Sequence, residues 1–208
     1  MDIKIKNRDG VKLLTGGKYC DEDLNILFDK SLLITDVEDA ILTGTLTEYT
    51  NNRITTLRQN AFSSCGNLVK VYVHNVKTVN NLAFASCPFL ETIDISSCET
   101  LNGQPFQSCS RLLRVIIRQK NKVCNMLYSG IFATCYRFVG ATHTSYNPEG
   151  LKDGYIYVDD SMVEQYKVAT NWSTYADQIK PISELPQEIK EELGLWLKEN
   201  IIWQEMMV

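Results

Sequence analysis

Seven cysteines, two histidines and one short acidic run are the residues of this 208-residue chain whose types could do chemistry. Thiolates, imidazoles and carboxylates hold metals, act as nucleophiles or move protons when several of them converge. The cysteines lack that spacing. Cys65, Cys87 and Cys109 recur every 22 residues and Cys135 follows after 26, with no C-x-x-C pair and no neighbouring histidine, so no metal site is expected. Asp21-Glu22-Asp23-Leu24-Asn25 has the carboxylate density of a calcium loop, but Ile26 stands where the sharp turn needs glycine and Leu32 where the closing glutamate belongs. Gly17-Lys18 fails as a phosphate-binding loop because Lys12 occupies the first glycine position and Tyr19 replaces the required Ser or Thr. His74 and His143 fall beside predicted strands as isolated surface residues. No catalytic residue, metal or cofactor is therefore expected, and an enzyme is rejected.

The cysteines belong instead to a repeat. Ala61-Phe62-Ser63-Ser64-Cys65-Gly66-Asn67-Leu68 is answered by Ala83-Phe84-Ala85-Ser86-Cys87-Pro88-Phe89-Leu90, by Pro105-Phe106-Gln107-Ser108-Cys109-Ser110-Arg111-Leu112, and by Ile131-Phe132-Ala133-Thr134-Cys135-Tyr136-Arg137-Phe138. After the leucine of each copy come Val71-Tyr72-Val73, Ile93-Asp94-Ile95 and Val115-Ile116-Ile117, short strands whose outer two residues face a core. Val76 and Cys98, then Val79 and Leu101, match Ile54 and Leu57 one step earlier. The four extra residues of the last interval fall between Ile117 and Cys124, so that Arg118–Lys122 bulge out as a loop, with register resuming at Cys124, Leu127 and Phe132. A period in the twenties with apolar residues at fixed offsets is a solenoid whose coils cannot bury their apolar side alone. Cys65, Cys87, Cys109 and Cys135, like Cys98 and Cys124, are then buried ladder residues with free thiols, since parallel Cβ vectors disfavour a bridge.

The motif A-F-x-x-C-x-x-L-x-x-V-x-V resembles leucine-rich repeats of the BspA-like type, found in bacterial surface proteins and in phage and prophage genes. The resemblance covers residues 46 to 182. Leu14-Thr15-Gly16-Gly17-Lys18-Tyr19-Cys20-Asp21-Glu22-Asp23-Leu24 is similar to segments that precede such repeats in phage tail-region proteins, and Asn171-Trp172 with Tyr175-Ala176-Asp177 resembles the cap that follows them. The implied fold is α+β: a short solenoid of four to five coils, one short strand per coil in a parallel ladder, with an N-terminal hairpin and C-terminal helical elements.

Along the chain, residues 1–45 form an N-terminal cap segment, 46–158 the repeats, 159–183 a C-terminal cap and 184–208 an amphipathic helix. Ile3–Lys6 and Val11–Leu14 alternate around a turn at Asn7–Gly10, a hairpin pattern. Leu32–Leu46 carries one or two strands that shield the first coil. Ser161-Met162-Val163-Glu164 reads as a capping box opening a helix to Ala169. Pro186 starts the last helix, whose apolar face is Ile189, Leu193, Trp196, Leu197, Ile201 and Trp203; that face either folds back on the repeats or, the favoured reading, docks on another subunit.

Net charge is −4 and the pI about 5.3, so a nucleic-acid surface is not expected. Arg111, Arg114, Arg118, Lys120 and Lys122 form a local basic edge. No membrane span is present by pattern, and the charged start Met1-Asp2-Ile3-Lys4 is not a signal peptide, which points to synthesis in a bacterial cytoplasm. With core positions assigned by the repeat, the outward strand residues Lys70, Tyr72, His74, Asp94, Ser96, Arg114, Ile116 and Arg118 are the candidate binding stripe, together with Thr92. The reading is a protein-interaction or recognition module, a phage virion component at the tail or surface that binds a host protein or glycan. Contacts to other virion subunits, or to itself, would use the C-terminal helix. The alternatives are an intracellular effector that inhibits a host protein, or a bacterial adhesin.

Overall fold

A computed structural model describes residues 3–7, 10–14, 36–37, 46–51 and 54–195. An N-terminal hairpin comprises β1 (Ile3–Asn7) and β2 (Gly10–Leu14), and the two-residue strand β3 (Asp36–Val37) follows. Each coil then contributes two short strands: β4 (Leu46–Thr50) and β5 (Thr56–Leu57), β6 (Lys70–Tyr72) and β7 (Thr78–Val79), β8 (Thr92–Asp94) and β9 (Thr100–Leu101), β10 (Arg114–Ile117) and β11 (Asn125–Met126). After them come α1 (Tyr136–Val139), β12 (Tyr155–Val158), α2 (Val163–Val168), β13 (Ile179–Pro181) and α3 (Gln187–Glu192).

Among the described residues these strands make two sheets. One has the order β13-β12-β10-β8-β6-β4-β1-β2 and the other β11-β9-β7-β5-β3. Coils pair in parallel at the repeat interval, so that Lys70, Thr92 and Arg114 are successive partners, as are Thr78 and Thr100. The hairpin joins antiparallel, with Ile5 opposite Tyr49, and covers the open edge of β4. The second ladder departs from the expected single strand per coil. Pairs such as Thr78-Val79 are too short to show a period of two, and only the neighbouring coil makes them strands. One register assignment also changes. Met126, not Leu127, pairs with Leu101, and Leu127 is exposed.

Between the ladders lies the core. Val71, Ile93, Val115 and Ile156 face inward in one row and Val73, Ile95, Ile117 and Val158 in the next, opposed by Leu57, Val79, Leu101 and Met126. Phe62, Phe84, Phe106, Phe132 and Phe138 stack face to face with centroid separations of 5.2, 5.9, 5.6 and 4.2 Å. The neighbouring cysteines are more than apolar filler. The thiols of Cys87, Cys109 and Cys135 donate to the carbonyls of Phe62, Phe84 and Phe106 at 3.0, 3.1 and 3.2 Å, each reaching back one coil. The six described cysteines are buried free thiols. Burial pushes Cys109 up to about 12 and Cys135 upward as well, which keeps both thiols protonated and unreactive at neutral pH. The turn residues Ser64, Ser86 and Ser108 adopt left-handed backbone at one repeat position, each just before its cysteine.

The C-terminal cap closes the last coil through hydrogen bonds. Trp172 Nε1 donates to the Cys124 carbonyl at 2.6 Å, Cys124 N donates to the Tyr166 hydroxyl at 2.9 Å, and the Tyr175 hydroxyl donates to Ser129 O at 2.7 Å. Ser161 does not cap as expected. A 3-10 turn over Asp160–Met162 precedes α2, and Asp159 is its cap, accepting from Ser161 N at 3.1 Å. The last helix is likewise shorter than the apolar pattern implied, because α3 ends at Glu192 and Gly194 adopts φ 66°. A left-handed glycine just past a helix terminates it. Trp196, Leu197, Ile201 and Trp203 lie outside the described residues, as do the Thr15–Tyr19 turn, the acidic run at Asp21–Asn25 and most of Leu32–Leu46.

Replacing one ring should break the stack locally. Phe84→Ala is expected to cost about 3–5 kcal/mol, because the flanking rings of Phe62 and Phe106 cannot close the gap while their coils stay paired. Thermal denaturation followed by circular dichroism measures it.

Candidate functional site

Strand residues with odd parity to the core face outward and form rows along the first ladder. The first row is Lys70, Thr92, Arg114 and Tyr155, and the second Tyr72, Asp94, Ile116 and Tyr157. His74, Ser96 and Arg118 follow two residues beyond. The stripe predicted from the repeat is thus contiguous, but half of it is not solvent-facing. Thr92, Asp94 and Ile116 are fully buried, and Tyr72 and Ser96 are nearly so, while Lys70, His74, Arg114 and Arg118 are half-buried.

Two different causes bury these residues. The first is a polar cluster around Asp94. His74 Nδ1 lies 2.7 Å from Asp94 Oδ2 and Arg118 Nη2 lies 3.3 Å from the same oxygen. The other oxygen, Oδ1, accepts from Ser96 N at 2.9 Å and from the Ser96 hydroxyl. Arg118 Nε donates to Ser96 Oγ at 2.5 Å. A carboxylate with no exposure is stable only when its charge and lone pairs are matched, and here two cationic or protonatable groups and a hydroxyl match them. Arg118 Nη2 also lies 3.3 Å from His74 Nδ1, but a donor cannot point at a donor. The shorter contact to the carboxylate therefore assigns the ring proton to Nδ1. His74 is not isolated, contrary to the expectation from spacing. Its partner sits one coil away and 20 residues on, where the registers of two rows cross.

This cluster contains Ser, His and Asp but not the geometry of a nucleophile and its base. That chemistry needs a hydroxyl hydrogen-bonded to an imidazole, which the carboxylate then orients. Here the Ser96 hydroxyl goes to Asp94 directly. His143, the other histidine, packs between Tyr136 and Tyr146 at 4.9 and 4.8 Å, with Nδ1 accepting from Ser145 N. Among the described residues no group of three or more His, Cys, Asp or Glu is placed to hold a metal. No described helix is long and apolar enough to cross a membrane.

The second cause is the chain's own C-terminal segment, whose place on this particular face spacing did not reveal. Leu185 and Ile189 are buried against Ile116 and Tyr157, with Tyr155, Ile182, Leu193 and Leu195 packed around them. Further along the ladder Glu192 accepts from Lys70 Nζ at 2.5 Å and from the Tyr72 hydroxyl. Lys180 Nζ lies 4.1 Å over the Tyr155 ring. For Ile189 and Leu193 the favoured docking on another subunit gives way to the alternative reading, since both pack in this structure on the repeat face itself. The signal available in the sequence was Ile116, an apolar residue at an outward position, where its equivalents are Tyr72 and Asp94.

Two substitutions separate these causes. Asp94→Ala leaves Arg118, His74 and Ser96 facing an unmatched pocket and should cost about 3 kcal/mol, measured by urea denaturation, with Asp94→Asn milder. Tyr72 reports the docked segment through pH. Burial first, and then the hydrogen bond and charge of Glu192, hold its hydroxyl well above the usual range. The folded state thus keeps this proton more tightly than the unfolded chain. Its contribution is complete below pH about 10 and is lost as pH rises beyond it. Alkaline titration of Tyr72→Phe should show the loss of stability above pH about 10 reduced relative to the parent chain.

The chain was compared with known proteins. No curated protein matches it. Residues 43–145 match the family model for BspA-type leucine-rich repeat regions, in six copies, where the phenylalanine repeat marks four. The match ends before the C-terminal cap, short of the 46–182 over which the sequence resembles the family. Through residues 43–145, with their parallel ladders of very short strands, the chain belongs to the BspA-type leucine-rich repeat family.

Proposed function

We propose that this chain is a non-enzymatic interaction module carried on a phage particle, at the tail or surface, where its outer ladder face engages a protein or glycan component of the host. Leucine-rich repeats generally serve as interaction modules, which supports the coarse part of this reading. The observation that carries the face assignment is the Asp94 cluster. Its hydrogen bonds tie three coils together, so that the half-buried His74 and Arg118, in rows with Lys70 and Arg114, belong to a surface that loses little entropy on binding. The likeness of Leu14–Leu24 to phage tail-region lead-ins supports attachment to a particle. Trp196, Leu197, Ile201 and Trp203 supply apolar side chains for contacts with other particle subunits or a second copy.

Particles purified from a culture that expresses the chain decide the question. Quantitative mass spectrometry should find it at a constant ratio to the major structural proteins across independent preparations. Recovery only from the particle-free lysate, bound to a single host protein, would replace this reading with that of an effector.

A further inference from the structure

The outer ladder face has an occupant, and its chemistry defines what else fits there. Leu185, in extended backbone just before α3, and Ile189 in α3 enter the surface made by Ile116 and Tyr157, while Glu192 meets Lys70 and Tyr72 farther along the ladder. These contacts put two apolar side chains and one carboxylate on a single side of the segment. The exposed residues Glu188 and Glu191 point away from it.

Three features make this occupant exchangeable. A six-residue helix is far too short to hold its shape alone, so α3 exists by virtue of the face it lies on. Its buried cluster of Ile116, Tyr157, Leu185 and Ile189 is separate from the main core, and α3 contributes no residue to the Phe stack or to either ladder. The Asp94 cluster is bonded within the coils, so the polar half of the face stays ordered when α3 leaves. What remains is an apolar patch at Ile116 and Tyr157, with the cationic Lys70 two strands from Ile116 along the ladder.

We propose that α3 is a ligand held in cis, and that the face accepts in its place a partner polypeptide presenting two apolar residues four apart and a carboxylate three residues further on. The inference rests on the outer face being the recognition surface. The C-terminal segment then sets a threshold: a partner must outcompete a tethered segment whose effective concentration is high.

A labelled peptide of residues 183–195, added to the full-length chain and followed by fluorescence anisotropy, tests this. Ile189→Asp in the chain releases the cis segment and should bind the peptide at least ten-fold more tightly than the parent chain. Glu192→Ala, which removes only the carboxylate contacts, should give a smaller gain and serves if the first variant misfolds. Adding Lys70→Glu should abolish the binding, and a peptide carrying Glu192→Lys should restore it. Equal affinity for parent and released chains, or no binding to a released chain that unfolds cooperatively, overturns the proposal. So does a parent chain that is dimeric by light scattering and becomes monomeric with Ile189→Asp, since a second copy's segment would then occupy the face. Failure of peptide binding alongside a constant ratio on particles removes the cis ligand alone; absence from particles removes the particle reading alone.

Discussion

Each coil of this protein has an apolar side that it cannot cover, and the ring of one coil's phenylalanine is covered by the ring of the next. From Phe62 to Phe138 the rings lie nearly parallel; Tyr49 meets the first ring, Phe62, edge-on at 4.8 Å, and Tyr175 lies edge-on to the last two, 5.1 Å from Phe132 and 6.4 Å from Phe138. The spacing of the stack and the spacing of parallel strands agree closely enough that rings and backbone are satisfied together. Cys87, Cys109 and Cys135 complete the arrangement by donating back to the previous phenylalanine carbonyl. A serine hydroxyl could donate there too, but it would bring a more strongly polar group into a site with no exposure, which explains the choice of a weak donor that packs as a hydrophobe.

Stacking of this kind leaves two ends, and the chain treats them differently. At the first coil an antiparallel hairpin supplies strand edge for strand edge. At the last coil the cap presents few strand bonds and many side-chain ones. Trp172, Tyr166 and Tyr175 each bring an aromatic body to the core and a polar tip to an orphaned backbone group of residues 124 to 132. Amphipathic aromatics suit that task because one side chain both covers the open coil and satisfies its backbone.

The outer face shows how the same repeat that builds a core also builds a surface. Rows of outward residues run beside one another at strand spacing, so charges from different coils come within hydrogen-bond reach without any local motif. Asp94 is the centre of that surface, and Ile116, two positions into the next strand, is its apolar neighbour. The C-terminal segment reads both parts: its apolar side chains take Ile116 and Tyr157, and its carboxylate takes Lys70 and Tyr72.

Much of the solenoid was legible because its repeat is strict. Phe84 stands 22 residues after Phe62 and Phe106 22 after Phe84, and this interval alone specifies the coils, the inward rows, the buried cysteines and the outward stripe; the alternation around Asn7–Gly10 likewise specified the hairpin. Periodicity is silent where an element owes its form to a neighbour. Thr78-Val79 is a strand only because Thr56-Leu57 and Thr100-Leu101 lie beside it, and Met126 rather than Leu127 enters that ladder because its backbone partner Leu101 decides the register. His74 and Asp94 meet across two coils, a contact that sequence separation does not encode. Ile189 was recognisable as apolar, but its home on Ile116 follows from where β13 delivers the chain, and the end of α3 follows from Gly194. The sequence by itself determined what each coil must bury, since that is local and repeated. Tertiary structure alone decided which outward residues were left for solvent, because that depended on contacts between coils around Asp94 and on a segment folding back from outside the repeat.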